Sequence, residues 1–238
     1  MKWVVRDPRA MWSAAAISTV VSMQTSTRVI AGICLIAAPA VQALSTFFWN
    51  DHRQGITTGA LIVIATVCWI VGVAAVFRLI EPRVPRFAAI GLPVAVYGCV
   101  GGTAFGVQGM NEELFNVSHA EAVRLLDEHQ LAAMVGFWIS GPLFPTSMFV
   151  LGLVLARIRA VPVATGLLIS AGAIAFPLSR IPREVVIAHL ADLVLLIAFA
   201  HLGVLLATGK MRLPLRDRPG TPTPAQAPGG QHEGYQSA

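Results

Sequence analysis

The chain has 238 residues, 55% of them hydrophobic and 12% charged, where a soluble domain carries about 25% charged residues. Its mean hydropathy is +0.70, and 17 Lys+Arg against 12 Asp+Glu leave a formal charge of +5. The basic residues stand in short connectors between apolar runs, where they set membrane topology, so the composition excludes a water-soluble globule and a nucleic-acid binder and makes the lipid bilayer the first partner.

The N-terminal segment, residues 1–28, opens with Lys2, Arg6, Asp7 and Arg9 and has no Ala-x-Ala cleavage site behind an apolar core, so no cleaved signal peptide is expected. Residues 10–27 lack charge, but eight of the eighteen are Ser, Thr or Gln, which suits a cytoplasmic or interfacial helix rather than a span. Six apolar runs follow, at residues 29–49, 57–77, 87–107, 131–155, 160–177 and 185–207. A bilayer core of roughly 30 Å takes about 20 residues of helix. The predicted fold is therefore all-α, a polytopic membrane bundle of six transmembrane helices occupying residues 29–209.

Orientation follows from the basic residues of the short loops. With the N-terminus inside, one side holds thirteen Lys or Arg, among them Arg28, Arg78, Arg83, Arg86, Arg157, Arg159 and Lys210, and the other holds four, Arg53, Arg124, Arg180 and Arg183. Both termini are expected in the cytoplasm. Residues 210–238, rich in Pro, Gly, Thr and Gln, are expected to form a disordered cytoplasmic tail. Arg far outnumbers Lys, which appears only at Lys2 and Lys210, a pattern that fits a GC-rich bacterial genome and hence a bacterial cytoplasmic membrane. Cys34, Cys68 and Cys99 each sit mid-run and read as small core residues.

Gly98, Gly102 and Gly106 stand four apart in the third run, and Gly91 lies one heptad earlier. Missing side chains let another helix approach, so these positions mark helix packing, within the bundle or in a homo-oligomer or membrane-protein partner. Pro39, Pro93, Pro142, Pro145, Pro162 and Pro177 predict kinks. The connector 111–130 is acidic, and Ser118-His-Ala-Glu121 matches a capping box, predicting a helix from His119 that runs into the fourth span. That helix reads as an interfacial lead-in or, alternatively, a lid over a pocket.

Asp192 is the one carboxylate inside a span, and an intramembrane acid needs a partner. His189 stands three residues earlier on the same helix face, Arg180 and Arg183 precede it, and His129 opens the fourth span at the same membrane level. These five residues form the candidate intramembrane polar site. The simplest reading is that Asp192 pairs with Arg180 or Arg183 and pins the last two helices. Three rivals use the same residues. Asp192 with His189 and an arginine suits a small proton- or anion-coupled transporter or a sensor. His129, His189 and Asp192 could hold zinc in a membrane hydrolase, although no His-Glu-x-x-His or Cys/His ligand motif supports a metal. Haem on His129 and His189 is the weakest, and His201 has no visible mate. Nucleophile elbows, phosphate loops and dinucleotide fingerprints are missing from the sequence, so no catalytic residue and no cofactor are assigned, and a structural, interaction or sensory membrane component is the leading reading.

The stretch from Phe137 to Ala175 includes Val150-Leu-Gly152-Leu-Val-Leu-Ala-Arg157, the turn Ile158-Arg-Ala-Val-Pro162, and Ala164-Thr-Gly166-Leu-Leu. It resembles uncharacterised six-span bacterial integral membrane proteins, in which a helix ends in a basic turn with proline and the next opens on Leu-Gly. The resemblance implies six spans and brings no activity with it.

Overall fold

An apolar segment in lipid must satisfy its own backbone hydrogen bonds, and each long apolar run of this chain does so as an α-helix. The structure, a computed structural model, describes residues 23–49, 54–182 and 184–211. Its helices are α1 (Thr25–Thr46), α2 (Gly55–Ile80), α3 (Pro85–Leu114), the short α4 (His119–Asp127), α5 (Gln130–Arg157), α6 (Val163–Arg180) and α7 (Val185–Ala207). Six of them, all but α4, are long and apolar enough to cross a bilayer. Among the described residues there is no strand.

The boundaries differ from the apolar runs where polar residues continue a helix beyond them. α1 begins at Thr25, so Thr25–Thr27, assigned from sequence to the interfacial segment, belong to the first span. Residues 10–22 of that segment, and residues 212–238 of the expected tail, lie outside the described residues. α3 runs on through Leu114 and carries Glu112 and Glu113 in its last turn.

The six long helices form a closed ring. In chain order each packs on the next, with α3 meeting α5 across α4, and α7 returns to pack on α1. Facing glycine pairs set the closeness of every second interface. A Cβ on Gly32 of α1 would stand 2.5 Å from Gly203 O of α7, and one on Gly203 would stand 2.5 Å from Gly32 O. Gly152 and Gly166 relate α5 and α6 in the same way, at 2.5 and 2.6 Å, and Gly59 faces Gly106 between α2 and α3. Direct backbone approach of this kind is how helices gain dispersion contact in lipid, which offers no hydrophobic drive of its own.

Inside the ring, Trp69 of α2 meets Phe199 of α7 edge-on at 4.6 Å between centroids and Phe144 of α5 at 5.4 Å. Leu35, Met148, Leu151, Leu195 and Leu202 are almost wholly buried around them. The outer face is the reverse. Ile30, Ile33, Val67, Ile90 and Leu190 are each more than half exposed, an apolar belt that suits acyl chains and that water would not tolerate. The chain is a multi-pass membrane protein.

α5 is interrupted. Residues Met134–Trp138 form one π-helical turn, in which the Ile139 N–H bonds Met134 O. The Tyr97 hydroxyl of α3 donates to Val135 O at 2.6 Å, and Ser140 Oγ donates to Gly136 O at 2.6 Å. Neighbouring side chains thus satisfy the carbonyls that an irregular turn exposes.

The helix expected from His119 begins there, with the Glu121 N–H donating to Ser118 Oγ at 3.2 Å. It does not run into the fourth span. The N–H groups of Glu128 and His129 turn back to Arg124 O and Leu126 O and close α4, and His129 leaves helical geometry with φ −121° and ψ 55°. The capping box is half made, because the Glu121 carboxylate binds Arg124 rather than reaching back.

Candidate functional site

Alternation of the spans gives the ring two ends. One carries α4 and the acidic connector, with Thr46, Arg180 and Val185 at helix ends; the other carries Arg28, Arg78, Arg83, Arg86, Arg157 and Lys210. The candidate polar site lies within the acidic end.

Arg180 is the last residue of α6, and Asp192 sits two turns into α7, where its side chain is 1% exposed. Nη2 of Arg180 donates to both Asp192 oxygens, at 2.7 and 2.9 Å. Nη1 donates to Thr46 Oγ1 at 3.0 Å, and the Thr46 hydroxyl donates to Asp192 Oδ2 at 2.7 Å. The Gln42 amide lies 3.4 Å from Asp192 Oδ1, and the Trp69 indole N–H donates to Gln42 Oε1 at 3.0 Å. Gln42 and Thr46 stand one turn apart on α1, so both face α7. Four helices, α1, α2, α6 and α7, therefore share one hydrogen-bonded chain with a carboxylate at its centre.

The guanidinium is also stacked. Its carbon lies 4.8 Å from the Trp49 ring centroid and 5.2 Å from that of Phe176. Aromatic faces suit a weakly hydrated planar cation that has left bulk water. The pair has charge balance, and the carboxylate has four donated bonds. That is the arrangement in which a buried ion pair holds helices rather than one that leaves a proton acceptor waiting.

The other sequence candidates lie apart. His189, three residues before Asp192, turns to Phe47 and stacks on it at 4.4 Å between centroids. His129 is exposed and lines a different cavity. Arg183 lies outside the described residues. His201, weighed for haem, pairs with Thr165, whose Oγ1 is 2.8 Å from its Nδ1. Among the described residues no three His, Cys, Asp or Glu side chains gather as metal ligands, and His129, His189 and Asp192 each have separate surroundings.

The three packing glycines also divide. Gly98 abuts the Phe144 backbone of α5, where a Cβ would meet N at 2.4 Å, whereas Gly106 faces α2. Gly102 has only Thr66 Oγ1 nearby, at 3.7 Å. Gly101, not singled out from sequence, lies against Ser140 of α5. A four-residue repeat drifts around a 3.6-residue helix, which spreads the stripe over two neighbours.

A second polar centre joins α3 to α4. Glu112, 2% exposed, has Oε1 2.7 Å from His119 Nδ1. Next to it, Glu113 Oε2 accepts the Ile56 N–H at 2.5 Å, a carboxylate on the N-terminus of α2, where the helix dipole favours negative charge. Beneath α4 lies a cavity of about 300 Å³ lined by Gln108, Asn111, Glu112, Leu125, Leu126 and His129 among others. On the exposed side of α4, the hydrogen bond from Arg124 holds the Glu121 carboxyl below its ordinary pKa.

Comparison with protein-family models, with curated protein sequences and with solved structures found no match.

Proposed function

We propose that this chain is a non-catalytic component of a bacterial cytoplasmic membrane, with both termini cytoplasmic, in which the Asp192 centre is a helix clamp. The observation that carries the reading is the closed hydrogen bonding of the Arg180–Asp192 pair: two bonds from one guanidinium nitrogen, with Thr46 and Gln42 supplying the remaining donors. A proton carrier would keep such an acid exchangeable and reachable by water. A hydrolase would bring histidines to it.

The test is flux. Purified protein is reconstituted into liposomes holding a pH-sensitive dye, and a proton gradient is imposed. The clamp reading expects equal decay of the gradient with the native protein and with Asp192→Asn. A proton flux that the native protein supports and the variant loses would transfer the assignment to the carrier.

A second reading, a sensory component, is favoured by the cavity beneath α4, lined by Glu112 of α3 and by Ala122, Leu125 and Leu126 of the amphipathic helix. It predicts that backbone amide exchange in α4 responds to a ligand while α1 and α7 keep their protection.

A further inference from the structure

At the opposite end of the ring, α2 and α3 meet in a groove of about 170 Å³ lined by Phe77, Arg78, Glu81, Ala88, Ala89, Leu92 and Pro93. Arg78 and Glu81 are the charged residues of its lining. Arg83 of the short connector and Arg86 of α3 are close neighbours in sequence, and Arg86 stands one turn before Ala89 on the same face of α3. Glu81 is the one acid in this group. Among the described residues none of Arg78, Arg83 and Arg86 forms an ion pair. Arg83 Nε, like Arg28 Nε and Trp49 Nε1, is buried from solvent and has no hydrogen-bond partner, a donor with an unmet requirement.

We propose that this groove binds an anionic phospholipid carrying a hydroxylated headgroup, of the phosphatidylglycerol type. The phosphate is taken by Arg78 of the lining together with the neighbouring Arg83 and Arg86, since guanidinium groups match phosphate oxygens in geometry and charge. The headgroup hydroxyls donate to the Glu81 carboxylate, and one acyl chain lies over Ala89, Leu92 and Pro93. The level fits, because these arginines flank two spans where lipid phosphates lie. Basic pockets between spans are the usual form of such sites. Phe77 shapes the groove: it presses so closely on Gly91 that a Cβ there would stand 2.6 Å from Cε1.

The experiment uses the full chain in phosphatidylcholine nanodiscs, with phosphatidylglycerol titrated in and retained lipid read by native mass spectrometry alongside the thermal midpoint. Phosphatidylglycerol should be retained and raise the midpoint, whereas matched phosphatidylcholine or millimolar inorganic phosphate should do neither. The triple variant Arg78→Gln, Arg83→Gln, Arg86→Gln should weaken retention by about tenfold or more. Leu92→Trp should weaken it with all charges in place. Arg157→Gln with Arg159→Gln, basic residues of the same end outside the groove, should leave it unchanged. Equal loss in the triple and the Arg157/Arg159 variants would reduce the effect to diffuse surface charge and overturn the site. So would a response to inorganic phosphate as large as that to lipid. If a variant fails to fold, the contrast between lipids on the native chain still decides, and no outcome bears on the Asp192 clamp.

Discussion

Removing one member of the Arg180–Asp192 pair should cost far more than removing both. With Arg180→Met, the Asp192 carboxylate, 1% exposed, keeps only Thr46 and Gln42 as donors and loses both guanidinium bonds. Breaking a buried pair in this way costs about 3–5 kcal/mol. With Asp192→Asn the stranded group is the cation, whose side chain is 15% exposed. It lies at a helix end and can shift its charged head toward water, so about 3 kcal/mol, the lower end of that range, is expected. In the double variant neither charge remains. Its cost should fall below that of either single change, giving a coupling of about 3 kcal/mol or more, at the upper end of the range for residues in direct contact or beyond it. The assay is reversible unfolding of all four proteins in bicelles, followed by tryptophan fluorescence. Additive single costs, with a coupling under about 0.5 kcal/mol, would show that the pair does not hold the helices and would refute the clamp.

Three further outcomes follow from the same geometry. Gly32→Ala places a methyl 2.5 Å from Gly203 O and 2.8 Å from the Ala207 Cβ; it should destabilise by about 1–3 kcal/mol, while Gly102→Ala, with its nearest neighbour at 3.7 Å, should be neutral or stabilise by about 0.5–1 kcal/mol. Equal effects in chemical unfolding would contradict the packing described. Trp69→Phe keeps an aromatic ring between Phe144 and Phe199 but strands Gln42 Oε1, costing about 1–3 kcal/mol, and the argument fails if its unfolding free energy equals that of the native chain. For pH, the Glu121 carboxyl is lowered by Arg124, so its contribution to α4 is complete above the ordinary glutamate pKa of about 4.3 and is lost as pH falls through its lower folded value. Amide exchange in α4, corrected for intrinsic rates, should therefore stay constant from pH 7 to about 4.5 and accelerate below; acceleration well above that pH would refute the assignment to Glu121.

The spans were legible because lipid permits few alternatives: an uncharged run of sufficient length must be a helix, and runs bounded by Arg28, Arg78 and Arg157 marked themselves. Asp192 stood out for the complementary reason, as a charge where charge is costly. Its partner among Arg180 and Arg183 was open from spacing alone, since both precede it in the same turn region. What sequence reading missed were the neutral participants. Gln42 and Thr46, one turn apart in an otherwise apolar run, carried a signal of their own, but amides and hydroxyls are common enough in membrane helices to pass unremarked. Trp69 carried no signal at all, because nothing in its neighbours tells that its indole reaches an amide on another helix. The histidines misled in the opposite sense. Shared membrane level fixes one coordinate of a side chain, and the angle around the ring, which separates His129 from His189, depends on how the helices close.

That closure orders the assembly in time. α1 enters the bilayer before α7, bearing Gln42 and Thr46, and the carboxylate they serve arrives on α7, 150 positions after Gln42. Until α7 is made, α1 must hold its polar groups in lipid, or against translocation machinery, without their final partner. The Gly32–Gly203 contact, too, forms only after α7 has entered. A ribosome stalled before α7 would leave an open seam along α1 and α6, the α1 amide and hydroxyl exposed at the gap, and surveillance proteases that sample polar residues within the bilayer would have a feature by which to tell the unfinished ring from the closed one.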